Sequence, residues 1–155
     1  MLGLDPEALT KLVQEQNEFY KTWYGEELKR ASRDIESLLA PNDFFIFFKG
    51  TKEQPKCKFS RRLVELFKDN GDYDFATYNI LEDPRLRYWV KVYSKWQTFP
   101  QIYLNKKFAG GIDVVSELVE EGEFDAMVPN SAKPLPPVEK FKKVSSTNKI
   151  TILLG

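Results

Sequence analysis

The order of elements predicted by the sequence is that of an α/β fold, a central mixed sheet with helices on both faces. Three observations predict it. Phe44 to Phe48 reads FFIFF, an unbroken apolar run between Asn42-Asp43 and Gly50, which suits a strand buried on both sides. Tyr73 to Ile80 alternates like a second strand, and the helical pattern between the two completes a βαβ unit with parallel strands. QIYL and KKFA then flank Asn105-Lys106 as a hairpin of two short strands.

The helices follow from periodicity and punctuation. Asp5-Pro6 starts a first helix carrying Leu9, Leu12, Val13, Phe19 and Trp23, and Gly25 is expected to end it. A second is expected from Glu26 to Leu39, with Leu28, Ala31, Ile35 and Leu38 on one face and Pro41 beyond its end. Phe59, Leu63, Val64, Leu66 and Phe67 form the apolar face of the next, stopped at Asn70-Gly71. Asp83-Pro84 opens a helix with Leu86, Val90 and Tyr93 inward, and Gly110-Gly111 turns into a last helix, Asp113 to Glu121.

Three segments result: an N-terminal helical extension over 1–25, a folded domain over 26–129, and a tail over 130–155. The tail is rich in Pro, Lys and Ser without amphipathic period and reads as a linker. Its last residues, ITILLG, have the character of a strand and suggest the opening of a further domain.

Composition narrows the function. Lys+Arg 23 against Asp+Glu 23 gives no net charge, so nothing in the overall field favours nucleic acid or an anionic membrane. No run of about 18 apolar residues offers a membrane span, and the first residues lack the pattern of a signal peptide, so a soluble cytoplasmic protein, with nuclear access also open, is expected. The chain has no His, which excludes Cys-His dyads, Ser-His-Asp triads and His-containing zinc sites. Its single Cys fits a reducing compartment.

That cysteine, Cys57, lies in KGTKEQPKCKFS, at the start of a helix and among Lys49, Lys52, Lys56 and Lys58. Unpaired N–H groups and the positive end of the helix dipole favour thiolate there, and so would the lysines, Lys58 included as the immediate neighbour. Thiolate is the form that attacks disulfides and binds soft metals. The residue three positions on is Ser60, so Cys57 cannot close its own Cys-x-x-Cys disulfide.

KGTKEQPKCKFS, followed by WQTFPQIYLNKKFAGGID, resembles the monothiol glutaredoxins, whose signature is Lys-Gly, a short loop, Cys-Gly-Phe-Ser, then Trp-Pro-Thr-Phe/Tyr-Pro-Gln and Gly-Gly-x-Asp. The resemblance covers about Glu26 to Pro129, with the motifs in order and at matching spacings. Lys58 stands where the family has Gly, and Gln97 where it usually has Pro. The resemblance implies the thioredoxin fold, with a four-stranded mixed sheet, and glutathione binding. For members with the extended loop before the Cys it also implies a [2Fe–2S] cluster that is passed on, with at most weak thiol-disulfide oxidoreductase activity.

Carried over by position, the glutathione site would comprise Lys49, Cys57, Phe59, Arg87, Phe99, Pro100, Ile112 and Asp113. Lys49 and Arg87 would hold one carboxylate. The backbone at Phe99, before a cis Pro100, would pair with the peptide. The amides of Ile112 and Asp113 would bind the other carboxylate, and the Asp113 side chain, also a candidate N-cap, would face the ammonium. Cys57 would be both the reactive thiol and the cluster ligand. One Cys per chain reaches the four thiolates of such a cluster through a homodimer with two glutathiones, which then serves iron-sulfur acceptor proteins. Two rivals stand beside this carrier: glutathione-dependent thiol transfer, and a protein-interaction module without thiol chemistry.

Overall fold

A computed structural model describes residues 5–134. The elements are α1 (Pro6–Leu39), β1 (Phe44–Phe48), α2 (Lys58–Asp69), β2 (Ala76–Asn79), a 3-10 turn (Ile80–Glu82), α3 (Pro84–Ser94), β3 (Gln101–Leu104), β4 (Lys107–Gly110), α4 (Ile112–Glu120) and the single turn α5 (Phe124–Met127). The strands form one sheet in the order β2-β1-β3-β4, with β1 parallel to β2 and antiparallel to β3, which pairs antiparallel with β4. This is the mixed four-stranded sheet, flanked by helices, that the sequence predicts.

β1 is central and wholly buried, and its alternation builds two cores. Phe44, Ile46 and Phe48 face Leu63 and Phe67 of α2, Val115 of α4 and Phe124. Phe45 and Phe47 face Ala31, Ile35 and Leu39 of α1 and Leu86, Trp89 and Val90 of α3. An aromatic run in a strand buried on both faces thus supplies both layers, and truncating one ring such as Phe47 to Ala should cost about 3–5 kcal/mol.

Three expectations change. The two N-terminal helices are one: α1 runs through Gly25, where nothing lies within 4 Å of a would-be Cβ. Glycine costs a helix interior only about 1 kcal/mol, and the packing of α1 on α3 outweighs it, so the boundary expected at 25/26 falls inside a continuous helix. The second strand is shorter than Tyr73–Ile80, because only Ala76–Asn79 find partners on β1, while Tyr73 and Phe75 are buried without pairing. In α3, Tyr93 packs against the core beside the buried Leu86 and Val90 as expected, and Trp89 is buried there as well, which the spacing does not predict. Asn130 to Ala132, expected to open a linker, instead form a 3-10 turn on the domain: Ala132 belongs to the core, the Asp74 N–H donates to its carbonyl at 2.8 Å, and the Ser131 hydroxyl donates to Asp43 at 3.0 Å. ITILLG lies outside the described residues.

The topology also fixes where a site can form. The parallel strands β1 and β2 end at one edge of the sheet, where β3 begins and β4 ends, since Phe47 pairs with Gln101 and Ile102 with Gly110. Lys49, Asn79, Phe99-Pro100 and Gly111-Ile112-Asp113 therefore gather at that edge from four separate segments.

Candidate functional site

The loop that delivers Cys57 is closed by its own backbone. Gly50 bridges to Pro55, the Lys56 N–H donates to the Lys49 carbonyl at 2.8 Å, and the Thr51 N–H donates to the Gln54 carbonyl at 3.1 Å. Gly50 is required by conformation and space together: its φ is +96°, and a Cβ would come within 2.5 Å of the Gln54 carbonyl oxygen. Its N–H donates to Asn79 Oδ1 at 3.0 Å, which also accepts the Leu81 N–H at 3.0 Å. Asn79 thereby ties the thiol loop to the end of β2.

Cys57 is the N-cap of α2. Its extended backbone (φ −140°, ψ 160°) lets Sγ accept the Ser60 N–H at 3.4 Å, the part an Asp or Ser usually plays in this position. The buried Ser60 hydroxyl lies 3.4 Å from Sγ, and its oxygen accepts the Lys49 N–H at 3.3 Å. With that lone pair engaged, the hydroxyl proton is free to point at the sulfur. Partial burial pushes the Cys57 thiol up, but the Ser60 hydroxyl, the Ser60 and Phe59 N–H groups and the Lys49 charge together bring it below the ordinary range. The site therefore favours the thiolate form of a partly exposed sulfur.

Of the four lysines, the charge that acts on the sulfur is that of Lys49. This corrects the expectation for Lys58, whose Nζ lies 5.2 Å from the centroid of the Phe59 ring. Phe59 itself is exposed, at the second position of α2, whose buried face is Ser60, Leu63 and Phe67, so it does not join the core as its spacing predicts. It stands beside the thiol.

The remaining predicted residues fall around the same edge. Arg87 is exposed in the first turn of α3, which Asp83 caps by accepting the Leu86 N–H at 3.0 Å. Phe99 and Pro100 are buried, the bond between them is cis, and Lys91 Nζ lies 5.9 Å from the Phe99 ring centroid. The N-cap of α4 is Gly111, not Asp113, and no side chain caps its N–H groups. Those groups are open to an anionic ligand, with the exposed Asp113 one turn position inside. Gly111 is packed under Trp96, whose indole nitrogen would lie 3.0 Å from a Cβ there.

Sequence reasoning missed Ser60 and Asn79. A Ser three residues after a helix-start Cys is the available signal for the first. The second depends on a contact across 29 positions of chain, which no local pattern carries.

Comparison with known proteins places this arrangement. The Glutaredoxin family model matches residues 45–109. Over 134 residues the chain is 37% identical to monothiol glutaredoxin-5, mitochondrial, of Saccharomyces cerevisiae, covering 85% of each protein. It is 44% identical over 97 residues to monothiol glutaredoxin-4 of Schizosaccharomyces pombe, where the match spans 62% of this chain but only 39% of the relative. Among solved structures, the reduced apo form of poplar GrxS14 is 36% identical at a TM-score of 0.54, over 61% of this chain and 86% of that one. The four-stranded sheet is that of the thioredoxin fold, and this chain belongs to the monothiol glutaredoxin family.

Proposed function

We propose that the protein is a glutathione-binding carrier of [2Fe–2S] clusters, in which Cys57 gives one thiolate per chain. The observation that carries this reading is Cys57 Sγ itself: a lone thiol, stabilised as thiolate by Ser60 and Lys49, and partly exposed where a second molecule can reach it. The donor set suits the cargo. One exposed thiolate per chain leaves three sulfurs of a four-thiolate cluster to be supplied, and a second chain with two glutathiones supplies them. Cluster-free glutathione would first occupy the sheet edge, one carboxylate on Lys49 and Arg87, its peptide along Phe99-Pro100, the other carboxylate on the uncapped amides of α4. A crystal structure of a buckwheat glutaredoxin–glutathione complex, 23% identical to this chain, supports the fold of that arrangement. Iron-sulfur acceptor proteins would then receive the cluster, in a reducing compartment, the cytoplasm or nucleus, that keeps a lone thiol free. Calorimetric titration with reduced glutathione tests the binding step. Saturable binding that weakens roughly tenfold or more in Lys49→Ala and Arg87→Ala is the expected result, since each removes a charge-assisted bond worth about 1.5–3 kcal/mol. Unchanged affinity in both variants removes these residues from the site.

The lowered thiol favours a second reading, thiol transfer. In it the Cys57 thiolate attacks the glutathione sulfur of a protein mixed disulfide and expels the protein thiolate. A second glutathione then attacks the resulting Cys57–glutathione disulfide, leaving oxidised glutathione and a regenerated thiolate. Among the residues described, no helix is long and apolar enough to cross a membrane.

A further inference from the structure

The first half of α1 has a purpose that the thiol site leaves unexplained. Every residue from Asp5 to Trp23 is exposed over about 27 Å of helix at 1.5 Å per residue, and of its aromatic rings only Trp23 reaches the rest of the domain, 6.5 Å from the ring of Trp89 in α3. The helix is nonetheless built to persist, with Asp5 accepting the Ala8 N–H at 2.7 Å and Pro6 in its first turn. Along it Leu9, Leu12, Val13, Phe19, Tyr20 and Trp23 share one face, spaced by threes and fours, and each is between 43% and 74% exposed. Phe19, the most exposed, is one that a solitary helix would have every reason to bury.

The order of these side chains identifies what covers them. The aliphatic residues occupy the N-terminal half of the stripe and the aromatic residues the C-terminal half, with Gln16 midway on the same face. Laid antiparallel about Gln16, two copies pair Leu9 with Trp23, Leu12 with Tyr20, Val13 with Phe19, and Gln16 with itself. Each small side chain then meets a large one, the alternation that fills a helix-helix seam without voids. A central Gln–Gln pair satisfies its own amides and fixes the register, as single polar residues do in coiled-coil seams. The parallel arrangement sets Trp23 on Trp23 and Leu9 on Leu9, too wide at one end and too narrow at the other. The area is of the right order. From their exposures of 43–74%, the six apolar side chains leave on the order of 600 Å² of each copy uncovered, the top of the range for a monomer's largest patch. Two such faces, fully covered, approach the lower bound of ~1,200 Å² for stable interfaces.

We propose that α1 is a dimerisation helix, pairing antiparallel with α1 of a second copy through the Leu9–Trp23 face, independently of any cluster. A two-fold contact of this kind is isologous, and the palindrome about Gln16 is what its symmetry requires.

The test uses the full chain carrying Cys57→Ser, which removes both cluster bridging and disulfide formation at the thiol site. Sedimentation equilibrium over about 1–100 μM should give a dimer, and Phe19→Glu in that background should raise the dissociation constant at least tenfold while the circular dichroism spectrum stays unchanged. A monomer throughout, or a dimer indifferent to Phe19→Glu, overturns the proposal. Orientation is read by cross-linking: under mild oxidation with diamide, Gln16→Cys should give a disulfide-linked dimer and Leu9→Cys should not. Efficient linkage of Leu9→Cys overturns the antiparallel register.

Discussion

Ser60 Oγ lies 3.4 Å from Cys57 Sγ while accepting the Lys49 N–H at 3.3 Å, so one buried hydroxyl joins the thiol to the end of the central strand. Replacing it by Ala removes the donor to the sulfur and leaves the Lys49 N–H without its partner. The thiol pKa should rise, and the protein should lose about 1–3 kcal/mol of stability. The midpoint of iodoacetamide alkylation against pH, compared with urea unfolding of the same variant, checks both effects.

The same geometry sets a pH dependence. A thiol whose folded pKa is depressed contributes stability that is present above the unfolded value, near 8.5, and is lost as pH falls through the folded value. The difference in unfolding free energy between wild type and Cys57→Ser should therefore shrink toward wild-type disadvantage as pH drops through the alkylation midpoint. A difference that stays constant across that window means the thiolate is not stabilised by the fold.

Lys49 and Lys58 should separate cleanly. Lys49→Met should raise the alkylation midpoint, because its charge acts on the sulfur, whereas Lys58→Gly should leave it in place, because that ammonium lies over the Phe59 ring. A midpoint that moves with Lys58 and not with Lys49 reverses the assignment.

Gly50 and Asn79 hold the loop. Gly50→Ala adds a methyl where the Gln54 carbonyl already sits and forces L-residue backbone to φ +96°, so loss of about 1–3 kcal/mol is expected, with faster proteolysis in 50–57. Asn79→Ala leaves two N–H donors unpaired and should cost a similar amount. Thermal melts with hydrogen exchange at Gly50 and Leu81 report each.

Much of this was legible in the sequence because the signals are local. FFIFF between turn residues reads as a doubly buried strand, Asp83-Pro84 as a helix start, and Pro-Lys-Cys as a thiol at a helix end. What was not legible depends on partners distant in the chain. Gly25 marks a break by propensity, yet α1 crosses it because Tyr24 and Trp89 pack with ring centroids 4.9 Å apart. Ala132 sits within a linker-like composition, and only the core it fills reveals that it belongs to the domain. Phe59 follows the apolar spacing of α2 but lies off the face of Ser60, Leu63 and Phe67 that the core buries.

The most direct test of the account is anaerobic reconstitution of the full chain with iron, sulfide and reduced glutathione, followed by visible absorption, iron and sulfide analysis, and molar mass. About one [2Fe–2S] cluster per two chains is expected, dependent on glutathione and absent from Cys57→Ser. The α1 contact of that variant is measured separately, so its mass does not confuse the result. Equal iron and sulfide in wild type and Cys57→Ser, or loading indifferent to glutathione, would contradict it.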